Sequence, residues 1–261
     1  MIGVFDSGIG GLTVVRALMA HLPGFDITYF GDTARTPYGS KSRSTVIHYA
    51  IENTEFLLSR KARAIVVACN TASSVATDVL RERFPVPIFE VITPAAELAV
   101  AQTRKGIIGI IGTRATINSG IYPRVIQSLR PESRIYAQAC PLLVSLVEEG
   151  WLKRPETAMI VKKYLRPLKV KQIDTLILGC THYPLLRALI QAKAGRRVRV
   201  IDSSGGVAAA VAAHVRRHTD ETARWSQSDA HRFFVSDLTP HFETIARDIL
   251  RRPIRLERIR P

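Results

Sequence analysis

The pattern that most restricts the fold is a repeated change of period along the chain. Short apolar, β-branched runs stand at 2–5, 27–30, 64–68, 88–91, 107–111, 175–178 and 198–201. Between most of them lie amphipathic stretches of helical length, such as 41–60, 71–84 and 155–168. Runs that are apolar throughout suit strands covered on both faces, and alternation with helices makes neighbouring strands parallel. The expected fold class is α/β, with mostly parallel sheets flanked by helices. In such sheets ligands bind beyond the carboxyl ends of the strands.

Two stretches place a cysteine at that position. Val67-Ala68-Cys69-Asn70-Thr71-Ala72-Ser73 and Leu178-Gly179-Cys180-Thr181-His182-Tyr183-Pro184 each set it after a strand-type run and before a hydroxyl-bearing turn that opens a helix. The two cysteines are 111 residues apart. A second echo has a similar offset: Ile2-Gly3-Val4 leads into Asp6-Ser7-Gly8, and Ile108-Gly109-Ile110, 106 residues later, leads into Gly112-Thr113. Two half-chains of one plan, packed face to face, bring Cys69 and Cys180 to one cleft. We therefore expect two pseudo-symmetric domains with the active site between them. Residues 1–93 plus 205–261 form the N-terminal α/β domain with Cys69, and 94–204 form the second with Cys180. Pro94 and the Ser203-Ser204-Gly205-Gly206 stretch mark the boundaries.

No apolar run approaches the roughly 18 residues of a membrane span, and the N-terminus opens on a strand-type run instead of a signal peptide. Three scattered cysteines form no disulfide framework and lack zinc-ligand spacing. A reducing, cytoplasmic setting with no metal is expected. The net charge of +15 raises the question of anionic partners. The excess is spread out except at 247–261, where six arginines stand against Asp248 and Glu257. No nucleic-acid motif or aromatic interleaving accompanies it. A solvated basic surface is favoured, and a nucleic-acid or other acidic partner stays open.

A free cysteine, with a pKa of about 8.5, is a weak base at neutral pH, but helix N-termini and nearby cations raise its thiolate fraction. Helix N-termini also favour substrate carboxylates. A thiolate on one face of a carbon and a thiol on the other can take a proton from one side and return one to the other. Buried cysteine is more often just a small apolar residue, yet two at strand ends, each followed by polar residues, favour chemistry. Cys140, in Gln138-Ala139-Cys140-Pro141, lacks that company and reads as structural.

Phe5-Asp6-Ser7-Gly8-Ile9-Gly10-Gly11-Leu12-Thr13 is a third strand, turn and helix segment. It matches neither nucleotide-loop pattern, so its glycines serve a tight turn and bring backbone amides to a small anion. Asp6 either caps the helix or hydrogen-bonds a cysteine or a substrate ammonium group. In a fourth segment, from Gly31 and Asp32 to Pro37-Tyr38-Gly39, the turn offers Tyr38 and backbone groups to a ligand. None of the four blocks holds a lysine, so no Schiff-base position is evident and no cofactor is expected.

Asp6-Ser7-Gly8-Ile9-Gly10-Gly11, Gly31-Asp32-Thr33-Ala34-Arg35 with Pro37-Tyr38-Gly39, Ala68-Cys69-Asn70-Thr71-Ala72, and Leu178 to Pro184 together resemble the bacterial glutamate racemases of the aspartate/glutamate racemase family. The resemblance runs from Ile2 to about Asp202, and Thr113, Thr116, Ser119, Ala139-Cys140-Pro141 and Glu148 fit it as well. It implies cofactor-independent interconversion of L- and D-glutamate, supplying D-glutamate for peptidoglycan. It implies that Cys69 deprotonates the D-enantiomer with help from Asp6, and Cys180 the L-enantiomer with help from His182. Asp6, Ser7, Tyr38, Gly39, Asn70, Thr71, Thr181 and His182 would hold the substrate. Thr113 and Thr116 would stand behind them, and Asp32 and Glu148 would tune the site. A homodimer is the implied assembly. Thr36 departs from the pattern, since a small apolar residue is expected before the Pro-Tyr-Gly turn. A racemase of aspartate or another acidic amino acid on the same scaffold is the nearest alternative.

Overall fold

Strands β1 (Ile2–Asp6), β2 (Ile27–Gly31), β3 (Ala64–Val67), β4 (Ile88–Glu90), β5 (Ile107–Gly112), β6 (Arg134–Ala139), β7 (Thr175–Gly179), β8 (Arg199–Asp202), β9 (Arg232–Val235) and β10 (Leu256–Arg258) build two sheets in the computed structural model, which describes residues 1–259. Arg260 and Pro261, the end of the basic terminal stretch, lie outside the described residues. The six-stranded sheet runs β10-β9-β2-β1-β3-β4 and the four-stranded sheet β6-β5-β7-β8. The paired strands in both are parallel. All seven strand-type runs read from the sequence are strands. Three more, β6, β9 and β10, were not expected; each lies at or next to a sheet edge.

Helices α1 (Leu12–His21), α2 (Arg43–Ser59), α3 (Asn70–Arg83), α4 (Ile92–Gln102), α5 (Arg114–Asn118) and α6 (Ile121–Leu129) come first in the chain. They are followed by α7 (Leu142–Glu148), α8 (Pro155–Val170), α9 (Arg187–Ala194), α10 (Ser203–Arg217), α11 (Thr219–Thr222) and α12 (Pro240–Leu250). Side-chain alternation along each strand feeds two cores per sheet. In β1, Ile2 and Val4 join the core under α1, α10 and α12, while Phe5 joins the core under α2 and α3. In β7, Leu176 and Leu178 meet α7, α8 and α9, and Ile177 meets α4 and α6. Coverage on both faces explains why these strands are apolar throughout.

The two sheets share one inner plan. Strand order 2-1-3-4 in the first is repeated as 6-5-7-8 in the second. The Ile-Gly echo has a packing reason. A Cβ on Gly3 would lie 2.9 Å from Ala62 and 3.0 Å from Ile65; one on Gly109 would lie 2.6 Å from Ile173 and 3.3 Å from Leu176. In both halves the glycine makes room for the segment entering the next strand, and that strand ends at a cysteine motif.

The chain leaves the first sheet after Glu90 and returns after Asp202. The boundary positions Pro94 and 203–206 fall in the first turns of α4 and α10. The Ser-Ser-Gly-Gly stretch is helical because Asp202 caps it, accepting from the Ser204 amide at 3.2 Å. Its second glycine lets the helices touch: a Cβ on Gly206 would lie 3.0 Å from the Cβ of Pro94. The two crossings between sheets thus run side by side.

Candidate active site

Six strand ends converge on one small cavity. Ser7 follows β1, Pro37, Tyr38 and Gly39 follow β2, and Cys69, Asn70 and Thr71 follow β3. From the second sheet come Thr113 after β5, Val144 on α7 after β6, and Cys180, Thr181 and His182 after β7. Both cysteines are buried and free. The cleft lies between the carboxyl ends of two parallel sheets, where such sheets bind ligands.

Cys69 is the N-cap residue of α3. Its thiol donates to Ser7 Oγ at 3.4 Å. Burial, then the charge of Asp6, pushes this thiol up to about 12, against the hydrogen bonds of Ser7 and the Ala72 amide. At neutral pH Cys69 is a thiol, able to give a proton.

Cys180 has a different partner. Its sulfur lies 3.8 Å from His182 Nδ1, and His182 Nε2 lies 3.2 Å from Glu148 Oε1. Burial alone, the largest influence, would lower the imidazolium pKa. Hydrogen bonds and charge from Cys180 and Glu148 together outweigh it and hold His182 well above its ordinary value. Glu148 is held low by His182 and Thr36, although burial opposes this. One element differs from expectation. Cys180 does not open a full helix; a short 3-10 turn, Tyr183–Leu186, follows before α9 begins at Arg187. A turn this short carries little macrodipole, so the positive charge near Cys180 is His182.

Asp6 makes no hydrogen bond to Cys69 and reaches that thiol through its charge. One carboxylate oxygen accepts from the Gly8 amide at 3.1 Å and the Gly11 amide at 3.0 Å; the other accepts from Thr181 Oγ1 at 3.1 Å. Asp6 is fully buried behind the glycine turn, and burial raises its pKa. It fixes the turn ahead of α1, ties the two sheets together through Thr181, and acts on Cys69 through its charge.

Tyr38 lines the cavity, but its hydroxyl donates to Asp32 and accepts from Asn53 Nδ2 at 3.0 Å. Only the rest of the residue is left to face a ligand. Asp32 also accepts from Arg35 Nε at 2.6 Å and Ser236 Oγ at 3.0 Å, so it anchors the loop behind Tyr38. Gly39 has no room for a side chain, since a Cβ would lie 2.5 Å from Thr113. Asn70 is oriented by Tyr122, whose hydroxyl donates to its Oδ1 at 2.6 Å, and it donates to Ser203 Oγ at 3.4 Å. Thr71, Thr113 and Thr116 form a hydroxyl cluster, with Thr71 2.9 Å from Thr113 and 3.3 Å from Thr116. Cys140 is buried, and burial raises its thiol pKa; its carbonyl accepts from Tyr183 at 2.8 Å. Pro37 lines the cavity from the turn read in the sequence; Val144, which also lines it, and Tyr122, which stands with Ser203 behind Asn70, lie outside the sequence motifs.

A buried thiol on one wall and a cysteine beside an imidazolium on the other suit proton transfer across a carbon held between them. The chain matches the Asp/Glu/hydantoin racemase family over residues 13–214. It is 49% identical to a glutamate racemase of Syntrophus aciditrophicus over 254 residues, 97% of this chain and 93% of that protein. The chain belongs to the Asp/Glu/hydantoin racemase family. Two solved racemases share its fold over almost its whole length. A glutamate racemase isoform from Bacillus anthracis superposes with a TM-score of 0.93 at 37% identity, covering 99% of this chain and 97% of that one. A glutamate racemase from Francisella tularensis, solved with D-glutamate, gives 0.91 at 38% identity, covering 99% and 96%. Like these racemases, the protein is a two-sheet α/β chain, and among its described residues no helix is long and apolar enough to cross a membrane.

Proposed function

We propose that this protein interconverts L- and D-glutamate by passing the α-proton between Cys69 and Cys180 without a cofactor. The observation that carries the mechanism is that the two cysteines lie at equivalent strand ends of like-ordered sheets and line one cavity. Glutamate is the substrate by membership of the family and by likeness to relatives named as glutamate racemases, one of them holding D-glutamate.

With L-glutamate bound, the Cys180 thiolate removes the α-proton. The imidazolium of His182, backed by Glu148, lies beside the sulfur as the proton moves. Electron density left on the α-carbon spreads into the adjacent carboxylate, where hydrogen-bond donors such as the Asn70 and Thr71 side chains stabilise it. The Cys69 thiol then gives its proton to the opposite face. D-glutamate leaves, with Cys180 protonated and Cys69 ionised, and exchange with water resets the pair. In the reverse direction Cys69 is the base. Burial of the lining residues keeps competing water from the carbanion. Such a role places the protein in the cytoplasm as a supplier of D-glutamate to peptidoglycan synthesis, working as a homodimer.

The test is proton exchange. Purified protein is incubated with L-glutamate in deuterium oxide, and α-deuterium and optical rotation are followed together, with Cys180→Ser as control. Deuterated D-glutamate from the wild type alone supports the reading. Near-normal turnover by Cys180→Ser in both directions refutes the two-cysteine mechanism, and exchange with aspartate in place of glutamate keeps the mechanism but changes the substrate.

A further inference from the structure

Thr36 is the one residue of its block that departs from the resemblance, and the structure gives it a partner. Its hydroxyl donates to Glu148 Oε1 at 3.3 Å, the same oxygen that His182 Nε2 approaches at 3.2 Å. Thr36 lies in the loop after β2 in the first sheet's half, and Glu148 is the last residue of α7 in the second. The contact therefore crosses the cleft. Gly8 provides the space for it: a Cβ there would lie 3.3 Å from Thr36 Oγ1, 3.4 Å from Glu148 Oε1 and 3.6 Å from His182 Cε1. Three side chains from three segments meet over one glycine.

We propose that Thr36 is a positioning residue that ties the Glu148 carboxylate to the opposite half of the molecule, so that the Glu148–His182–Cys180 chain is held from both walls of the cleft. The role rests on the two-cysteine reading above. Glu148 is the most solvent-accessible member of the chain, with its side chain 18% exposed against 2% for His182. Without a second anchor its carboxylate is free to turn toward water. Thr36 removes that freedom and holds Glu148 toward His182.

The experiment compares Thr36→Val, which keeps the shape and loses the hydroxyl, with Thr36→Ser, which keeps the hydroxyl. Both kcat and KM are measured from each enantiomer, and the His182 ring is titrated by nitrogen-15 NMR, with His182→Asn to assign its signal. Cys180, Glu148 and, through its charge, Asp6 are the titratable groups acting on that ring. Losing one hydrogen bond of ordinary strength, as suits a contact of 3.3 Å, predicts a roughly five- to tenfold lower kcat from L-glutamate in Thr36→Val. A smaller fall is expected from D-glutamate, with a lower His182 pKa. Thr36→Ser restores both. The proposal is overturned if Thr36→Val keeps kcat and the His182 titration within about twofold of wild type, the scatter typical of single-interaction effects. It is also overturned if Thr36→Ser is as impaired as Thr36→Val, which would assign the effect to shape. A wild type inactive on both enantiomers refutes the functional reading instead, and the NMR titration then still decides whether Thr36 holds Glu148 against His182.

Discussion

Replacing His182 with asparagine removes the cation beside Cys180 and leaves a polar side chain in its place. The sulfur lies 3.8 Å from His182 Nδ1. At an effective dielectric of about 20, unit charges at that distance attract by about 4 kcal/mol. Both groups are buried, and the desolvation cost of holding the pair charged offsets part of this. The net loss is about 2 kcal/mol, or roughly 30-fold in the rate of a step that needs the thiolate. We expect kcat from L-glutamate to fall by about that factor, and kcat from D-glutamate, where Cys69 is the base, to fall less. The assay is circular dichroism of glutamate, run from each enantiomer. Because enantiomers have equal free energy, kcat/KM must stay the same in both directions for any variant. The asymmetry therefore appears in kcat and is matched by an equal shift, in the same direction, in the ratio of KM values. Equal slowing of kcat in both directions would confine His182 to binding, and a kcat from L-glutamate within about threefold of wild type would refute the ion-pair argument.

Three further outcomes follow from the same geometry. Cys69→Ala, with Cys180 intact, should let L-glutamate pick up α-deuterium from deuterium oxide with its configuration kept, because the second proton donor is gone; racemisation by this variant would refute the donor role. Gly3→Ala should destabilise more than Gly109→Ala, by about 2–3 against about 1 kcal/mol in urea unfolding. The reason is that the new Cβ meets the Cβ atoms of Ala62 and Leu57, which no rotamer change can move, whereas at Gly109 it meets the mobile ends of Ile173 and Leu176; the reverse order would overturn the reasoning. Asp26→Asn should cost about 1 kcal/mol at neutral pH after allowing for screening at its loop. Burial would raise the Asp26 pKa, but hydrogen bonds from Ser226, Ser228 and the Ala230 amide lower it from 3.8 to about 2. That contribution is present above 3.8 and lost as pH falls to about 2, so variant and wild-type stabilities should converge in acid.

The central strands were readable because burial on both faces leaves an unbroken apolar signature. β6, Arg-Ile-Tyr-Ala-Gln-Ala, is an edge strand with no fully buried residue, so its composition carries no such mark. β9 and β10 are short and sit at the opposite edge of the other sheet. The cysteines, His182 and most of the cavity wall were legible because polar residues directly after a strand have few structural reasons to be there. What the chain concealed depends on distant pairings. The Tyr38 hydroxyl is consumed by Asp32, and Asp6 bonds Thr181, 175 residues away. Thr36 looked like a blemish in a motif because its partner, Glu148, is 112 residues further on. Ser203-Ser204-Gly205-Gly206 was legible as a boundary but not as helix; a capping aspartate and the seat on Pro94 make it so.

The six-stranded sheet draws its outer strands, β9 and β10, from the last thirty residues described, while the four-stranded sheet is closed by β8 at Asp202. A chain emerging from the ribosome can therefore finish the half with Cys180 first. The half with Cys69 has its β1–β4 strands early but must keep its β2 edge unpaired until β9 has been made. The protein thus assembles from the inside of its sequence outward, and the two cysteines acquire fully formed surroundings at different times. A nascent or C-terminally truncated chain would hold one proton donor in a finished wall and the other in a sheet with an open edge, a species prone to pair with itself and unable to racemise anything.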